Sequence, residues 1–378
     1  MSHLRPSATP SASTLELARQ ATEQARFLAP EEGLSGPASR WTQARVIGLD
    51  TEFVRERTFY PRPGLIQIHD GQETWLIDPI GREDVTALTE LMNDPDSIKV
   101  FHSVGEDLEI MQLVAGAVPS PLFDTQIAAA MLGFPLQCRY EVLVQECFGV
   151  ELAGGQARSD WCKRPLSATL LHYAASDVVW LPELQALLEK ALEKAGRLGW
   201  LQEDCQRLVD AARNGDEKVP LLRVKGAGRL DELGLGWLDR FSTWREQQCR
   251  KRDLPRSFVL RDEVLVDIAE RAARGQTIEA LDALPPRERR RYGNELEALL
   301  QDTPQPITRP LELIRLEPKQ RDAIKAAQAE VRRIAEELGV DPALLASKRE
   351  LTRLLFGERP DWADGWRGEW IGHLGPEA

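Results

Sequence analysis

The stretch VIGLDTEF, Val46–Phe53, decides the reading of this chain. Val46 to Leu49 form a buried strand, and Asp50 and Glu52 follow it with one residue between them. At strand spacing, residues i and i+2 point to the same side, so two carboxylates stand together at the lip of a sheet. Alone, the segment also suits an ordinary solvated strand end. Working outward, LIQI (Leu65–Ile68) and WLID (Trp75–Asp78) read as two more strands, with Asp70-Gly71 as the turn signal between them. A helix is expected from about Asp84 to Met92, then a strand at KVFHS, Lys99–Ser103. Helical periodicity dominates from Glu106 to about Arg213. Early strands with later helices predict an α/β domain, one sheet covered by helices.

Residues 1–13 are rich in Ser, Pro, Ala and Thr, Thr14–Leu28 has helical spacing, and Glu31–Ser39 is loop-like. Residues 1–40 are therefore expected to be a disordered tail with a short helix. After Asn214 strand signals vanish. Trp237–Arg252 reads as a long helix leading through a Pro-containing turn into Asp253–Leu265. Gln320–Leu338 leads likewise into Gly339–Leu351. One repeat of this kind predicts two small helical domains, 228–302 and 311–378, joined by TPQPITRP, Thr303–Pro310.

The 378 residues are 42% hydrophobic and 29% charged, a globular balance. No apolar run is long enough to span a bilayer, and no secretory core is present at the N-terminus. Neither membrane insertion nor export is expected. Lys and Arg number 48 against 60 Asp and Glu, a net charge of −12. That excludes coating of nucleic acid by bulk charge, but not nucleic acid held at a local site beside bound cations. Five cysteines, an odd count without a CxxC pair, fit a reduced cytoplasmic protein.

Two further acidic segments matter. In VFHSVGEDLEI, Val100–Ile110, a strand runs into Gly105 and a helix opens with Glu106 and Asp107. Acidic residues are common there because they complement the helix dipole. In LLHYAASDVVWLPEL, Leu170–Leu184, Tyr173 and Asp177 stand at i and i+4 and interrupt a buried stripe. Such a pair is costly unless satisfied.

Together these segments resemble the DEDD exonuclease superfamily in its Tyr-containing branch. The resemblance is closer still to the ribonuclease D family, and covers nearly the whole chain from about Trp41. LDTEFVRERTFYPRPGLIQI (Leu49–Ile68), FDTQIAAAM (Phe123–Met131), SDWCKRPL (Ser159–Leu166) and GWRGE (Gly365–Glu369) resemble that family's blocks, and the helical repeats resemble tandem HRDC domains. The resemblance implies a ribonuclease-H-like α/β exonuclease domain over 41–215, followed by two all-α HRDC-type domains. It implies 3′→5′ hydrolysis of RNA, with tRNA precursors as substrate, by a monomer using two divalent ions, Mg2+ or Mn2+. Hard ions of this type want oxygen ligands.

The same resemblance assigns roles. Asp50 bridges both ions; Glu52 and Asp177 complete the site of the ion that carries the nucleophile; Asp107 holds the second ion through water; Tyr173 orients the attacking water. For substrate contacts, Phe53 either stacks on the terminal base or is a core Phe, His102 either touches ribose or phosphate or is structural, and Arg164, ahead of Lys163, lies near the phosphate path or on a solvated surface. Two alternatives stay open, a DNA 3′→5′ exonuclease with the same chemistry and a catalytically silent RNA-binding scaffold.

Residues 221–300 hold 16 Lys or Arg against 14 Asp or Glu. Two basic clusters, Arg250–Arg252 with Arg256, and RERRR at Arg287–Arg291, are candidate phosphate contacts in the first repeat. On this reading, removing residues after about 225 weakens RNA binding more than cleavage.

Overall fold

The computed structural model describes residues 4–156, 158–215 and 219–376, with Ile278 as backbone only. The chain divides into two compact units. The first comprises the chain up to Val54, the stretch from Arg62 to Gly215, and the chain from Ala323 onward; the second comprises Arg55–Pro61 and the segment that ends at Asp322.

The first unit is built on a six-stranded sheet: β1 (Arg26–Leu28), β2 (Val46–Val54), β3 (Arg62–His69), β4 (Thr74–Ile77), β5 (Ile98–Phe101) and β6 (Leu122–Asp124), in spatial order β1-β4-β3-β2-β5-β6. β2 pairs antiparallel with β3 and parallel with β5, and β3 pairs antiparallel with β4. β1–β4 and β5–β6 are parallel. The sheet's helices are α1 (Ala12–Glu23), α2 (Ser35–Trp41), α3 (Thr86–Asn93), α4 (Asp107–Ala115), α5 (Thr125–Met131), α6 (Tyr140–Phe148), α7 (Ala168–Ser176), α8 (Leu181–Ala195) and α9 (Leu198–Asn214).

Alternation along β2 sorts its side chains into two layers. Ile47 and Leu49 enter one core with Leu88, Met92, Leu108 and Met111 of α3 and α4. Val46 packs against the opposite core, which holds Val100, Ala128, Leu184 and Leu188. Both faces of the strand are covered, which is why it reads as a nearly continuous apolar run.

Several expectations change here. β2 extends to Val54, so Asp50 and Glu52 lie within the strand rather than beyond it. The expected helix over Thr14–Leu28 ends at Glu23, and Arg26–Leu28 instead forms an edge strand on β4. Residues 4–40 are not a disordered tail. Ala21, Leu28 and Leu34 are buried, the Ala8 N–H donates to the Cys147 carbonyl at 2.8 Å, and Arg5 Nε donates to the Gly133 carbonyl at 2.8 Å. A few apolar residues at the right positions anchor this polar segment, whereas composition averages them away. The expectation for residues 1–3 lies outside the described residues.

In the second unit, α10 (Glu232–Arg252), α11 (Arg256–Val259), α12 (Asp262–Ala273), α13 (Thr277–Ala280) and α14 (Pro286–Leu299) enclose a core around Trp237, Phe241, Leu265 and Leu296. The repeat is visible as α15 (Pro318–Leu338), α16 (Pro342–Leu345) and α17 (Lys348–Leu355), followed by α18 (Trp366–Ile371). The second copy, however, is not a separate body. Val331, Ile334, Leu345, Leu351, Trp366 and Ile371 share one buried cluster with α5, α6 and α8 of the first unit. Its apolar stripe is spent on the α/β core, a destination that periodicity alone does not specify.

Candidate active site

Asp50 and Glu52 project from β2 toward α7 and α8, on the side opposite Ile47 and Leu49. Asp177 comes to meet them from the break between α7 and α8, where it caps the end of α7. Carboxylate oxygens of Asp50, Glu52 and Asp177 all lie within 4.8 Å of one another. Gly48 permits this approach. A Cβ at that position would stand 2.9 Å from the Val178 carbonyl oxygen and 3.0 Å from Leu181 Cβ.

Asp107 arrives from the other layer, at the first turn of α4. The Thr51 hydroxyl, which alternation sends to that side of β2, donates to Asp107 Oδ1. The start of α4 is in turn held by Asp124, which accepts from the Ser103 and Val104 N–H groups at 3.2 and 2.9 Å and caps α5 through Gln126 and Ile127. Ser103 has φ 66°, a left-handed conformation rare outside glycine, and the Asp124 bond secures it.

The pocket has a volume of about 240 Å³ and is lined by Asp50, Thr51, Glu52, His102, Tyr140, Glu141, Tyr173 and Asp177 among others. Burial is the largest influence on every carboxylate in the group. It pushes Asp50 and Asp107 well above the usual range, the charges of Asp177 on Asp50 and of Asp50 on Asp107 adding to the effect. Glu52 is pushed up to about 10 by burial, then by Asp50, Asp177 and Asp107. Asp177 rises to about 7 by burial, against the hydrogen bond from Tyr173. Among the described residues none of the four makes an ion pair. Four crowded, uncompensated carboxylates fit hard divalent ions: they supply oxygen donors, and the cations supply the missing positive charge.

Tyr173 is raised above an ordinary tyrosine, first by burial and then by Asp177, so its hydroxyl keeps its proton next to that carboxylate. Tyr140 was not singled out from sequence, and no local signal marks it. Its hydroxyl donates to the Ser176 carbonyl at 3.5 Å and accepts from the Trp180 N–H at 3.1 Å, bracketing Asp177. Gln67, the cross-strand partner of Asp50, points Nε2 at Asp50 Oδ2 over 3.4 Å. Glu141 adds another carboxylate to the rim and is paired with Arg139 at 3.1 Å.

The expected substrate contacts fare less well. Arg164 is committed to structure. Its five N–H donors meet Asp78 Oδ1 and Oδ2 at 2.7 and 2.6 Å and the carbonyls of Gly64, Trp161 and Lys163. It pins the Trp161–Arg164 segment across β3 and has no donor left for phosphate. His102 lines the pocket, yet Nδ1 lies 2.8 Å from Thr125 Oγ1 and Nε2 2.8 Å from the Cys138 carbonyl. Burial lowers the ring's pKa, and both of its nitrogens are occupied. It shapes the wall rather than donating to substrate. Phe53 is half-buried and outside the residues lining the pocket.

Residues 26–193 match the 3′-5′ exonuclease family, and residues 235–300 match the HRDC domain. A ribonuclease D from Shewanella is 34% identical over 356 residues, covering 91% of each chain. The Xanthomonas oryzae ribonuclease D is 38% identical, covering 86% of this chain and 89% of its own. This chain belongs to the ribonuclease D family. Metal-dependent 3′→5′ exoribonuclease activity goes with that membership, as does the use of two divalent ions. The crystal structure of Escherichia coli RNase D, described as an exoribonuclease involved in structured RNA processing, superposes with a TM-score of 0.82 at 32% identity, covering 92% of this chain and 96% of that one. The catalytic core of RRP6 from Trypanosoma brucei shares the fold at 21% identity, with a TM-score of 0.56. No helix among the described residues is long and apolar enough to cross a membrane.

Proposed function

We propose that the carboxylate pocket trims the 3′ ends of structured RNA, tRNA precursors above all, and releases nucleoside 5′-monophosphates. The observation that carries this reading is the convergence of Asp50, Glu52 and Asp177, with Asp107 held alongside by Thr51. A bound pair of divalent ions supplies an activated water and charge compensation for the departing 3′ oxygen. Asp50 would serve both ions, Glu52 and Asp177 would hold the ion on the nucleophile side, and Asp107 would hold the ion on the leaving-group side. Tyr173 orients the attacking water. A hydroxyl held protonated beside Asp177 suits a positioning group better than a base.

Tyr173→Phe tests the assignment. Turnover of RNA is expected to fall at least a hundredfold, while Mg2+-induced thermal stabilisation and RNA affinity persist; loss of the metal effect contradicts it. The preference for RNA over DNA is read by digesting 3′-labelled oligonucleotides of one sequence in both sugars. We read the protein as a cytoplasmic monomer, a view its five unpaired cysteines support for the compartment. Residues 228–302 act as the HRDC domain, and 311–378 as a second HRDC-like repeat that serves the nuclease core.

A further inference from the structure

One polar side chain, Gln67, interrupts the buried run Leu65–Ile68 of β3. Alternation sends Ile66 and Ile68 into the core that holds Leu49, and Leu65 to the opposite side, against Trp161 and Ala174. Gln67 shares the side of Leu65 and is fully buried. Its partners across the sheet are Asp50 on β2 and Leu76 on β4, and directly opposed residues of an antiparallel pair present their side chains to one face. Leu76 belongs to the same apolar cluster as Leu65. Gln67 is thus set in an apolar layer, with the Asp50 carboxylate as its polar neighbour in register.

The amide is used at one end. Nε2 points at Asp50 Oδ2 over 3.4 Å, while Oε1 is buried and has no partner among the described residues. A buried amide with an unmet acceptor costs the fold stability, and methionine or leucine would fill the layer without that cost. The stability of the sheet therefore does not explain a glutamine here; what its other end holds does. Asp50 has carboxylate oxygens within 4.8 Å of those of both Glu52 and Asp177. Ligating carboxylates are aimed by outer hydrogen-bond partners, which fix their orientation. An N–H at Oδ2 restricts rotation of the Asp50 carboxylate and leaves its other lone pairs for cations. Gln67 itself is not among the residues lining the pocket, so it acts through Asp50.

We propose that Gln67 is a positioning residue for the metal site, its amide holding the Asp50 carboxylate in the orientation that two divalent ions share. It rests on the reading of Asp50 as a ligand to both ions.

The test uses the full chain, stripped of metal with EDTA. It reads Mn2+ binding by isothermal titration calorimetry beside turnover of a short single-stranded RNA across a Mg2+ series. Gln67→Met keeps the length of the side chain and removes both polar ends; Gln67→Leu is a second apolar filling should methionine pack badly. Both are expected to weaken Mn2+ binding about tenfold, the low end of what loss of an outer partner does to a metal site. At a fixed low Mg2+ concentration kcat should fall, and it should recover when Mg2+ is raised about tenfold, while KM for RNA stays within about twofold. The metal-free Tm should hold or rise, since the unmet acceptor leaves with the amide. A side chain that only fills the sheet gives the opposite set: a lower Tm, unchanged Mn2+ affinity and no recovery with Mg2+. That set overturns the proposal. Asp50→Asn is measured alongside. If it loses Mn2+ binding while both Gln67 variants bind like the parent, the role of Gln67 alone is refuted. If Asp50→Asn itself binds like the parent, the reading of Asp50 fails and the role of Gln67 falls with it.

Discussion

The Arg367 guanidinium closes on both oxygens of Asp204, at 2.5 and 2.7 Å, across 163 residues of sequence. Asp204 also accepts from Trp366 Nε1 at 3.1 Å and from Arg207 at 2.5 Å, and Trp366 stacks on Trp200 with centroids 4.3 Å apart. The pair is buried on both sides, so it fastens the C-terminal helices to α9.

Removing one partner of a buried pair typically costs about 3–5 kcal/mol, because the other charge is left without compensation. Asp204→Ala is therefore expected to lower Tm by roughly 6–20 °C. A chain ended near residue 225 should lose thermal stability and cleavage together, rather than RNA binding more than cleavage, which is what the sequence alone leads one to expect. Differential scanning calorimetry alongside turnover on a short oligonucleotide decides it: full stability and turnover in the truncated chain would falsify this account.

The crowded carboxylates set a pH dependence. With folded pKa values raised above their unfolded values, their contribution to stability is complete below about pH 4 and is lost as pH rises, through about 7 for Asp177. Metal-free protein should thus lose stability between pH 4 and 7, and Mg2+ should restore it at pH 8. Asp50→Asn should raise the metal-free Tm at pH 8 by a few degrees, about 1–2 kcal/mol, while abolishing the Mg2+ response. A chelator titration followed by thermal melts checks both signs.

Arg164 supports structure, so its loss should be felt in folding rather than affinity. Arg164→Lys cannot reproduce the planar fork on Asp78 and should destabilise by about 2–4 kcal/mol. KM for RNA in the surviving enzyme is expected to stay within twofold. A raised KM at unchanged Tm would restore the phosphate-path role.

Tyr140→Phe removes the hydroxyl that joins Ser176 to Trp180 around Asp177. An unsatisfied Trp180 N–H costs about 1–3 kcal/mol. We expect the Mg2+ concentration for half-maximal activity to rise several-fold with KM for RNA unchanged. A change in Tm without a change in metal dependence would leave Tyr140 a purely structural residue.

What could be read in advance follows from range in the chain. Asp50 and Glu52 were legible because strand alternation is a local rule, and the hairpin at Asp70-Gly71 because turn chemistry is local. The edge strand Arg26–Leu28 was not, since three residues gain strand identity only by docking on β4. Thr51 and Tyr140 were invisible for a related reason: each matters through a partner, Asp107 or Trp180, that is 56 or 40 residues away. Arg164 misled because a cation in a motif looks alike whether its partner is a ligand or Asp78.

The route of the chain has a consequence for synthesis. A cluster holding both Ala128 and Ile371 cannot be assembled while the last helices are still in the ribosomal tunnel. The nascent polypeptide therefore emerges with its degradative half unfinished until those last helices have left the tunnel.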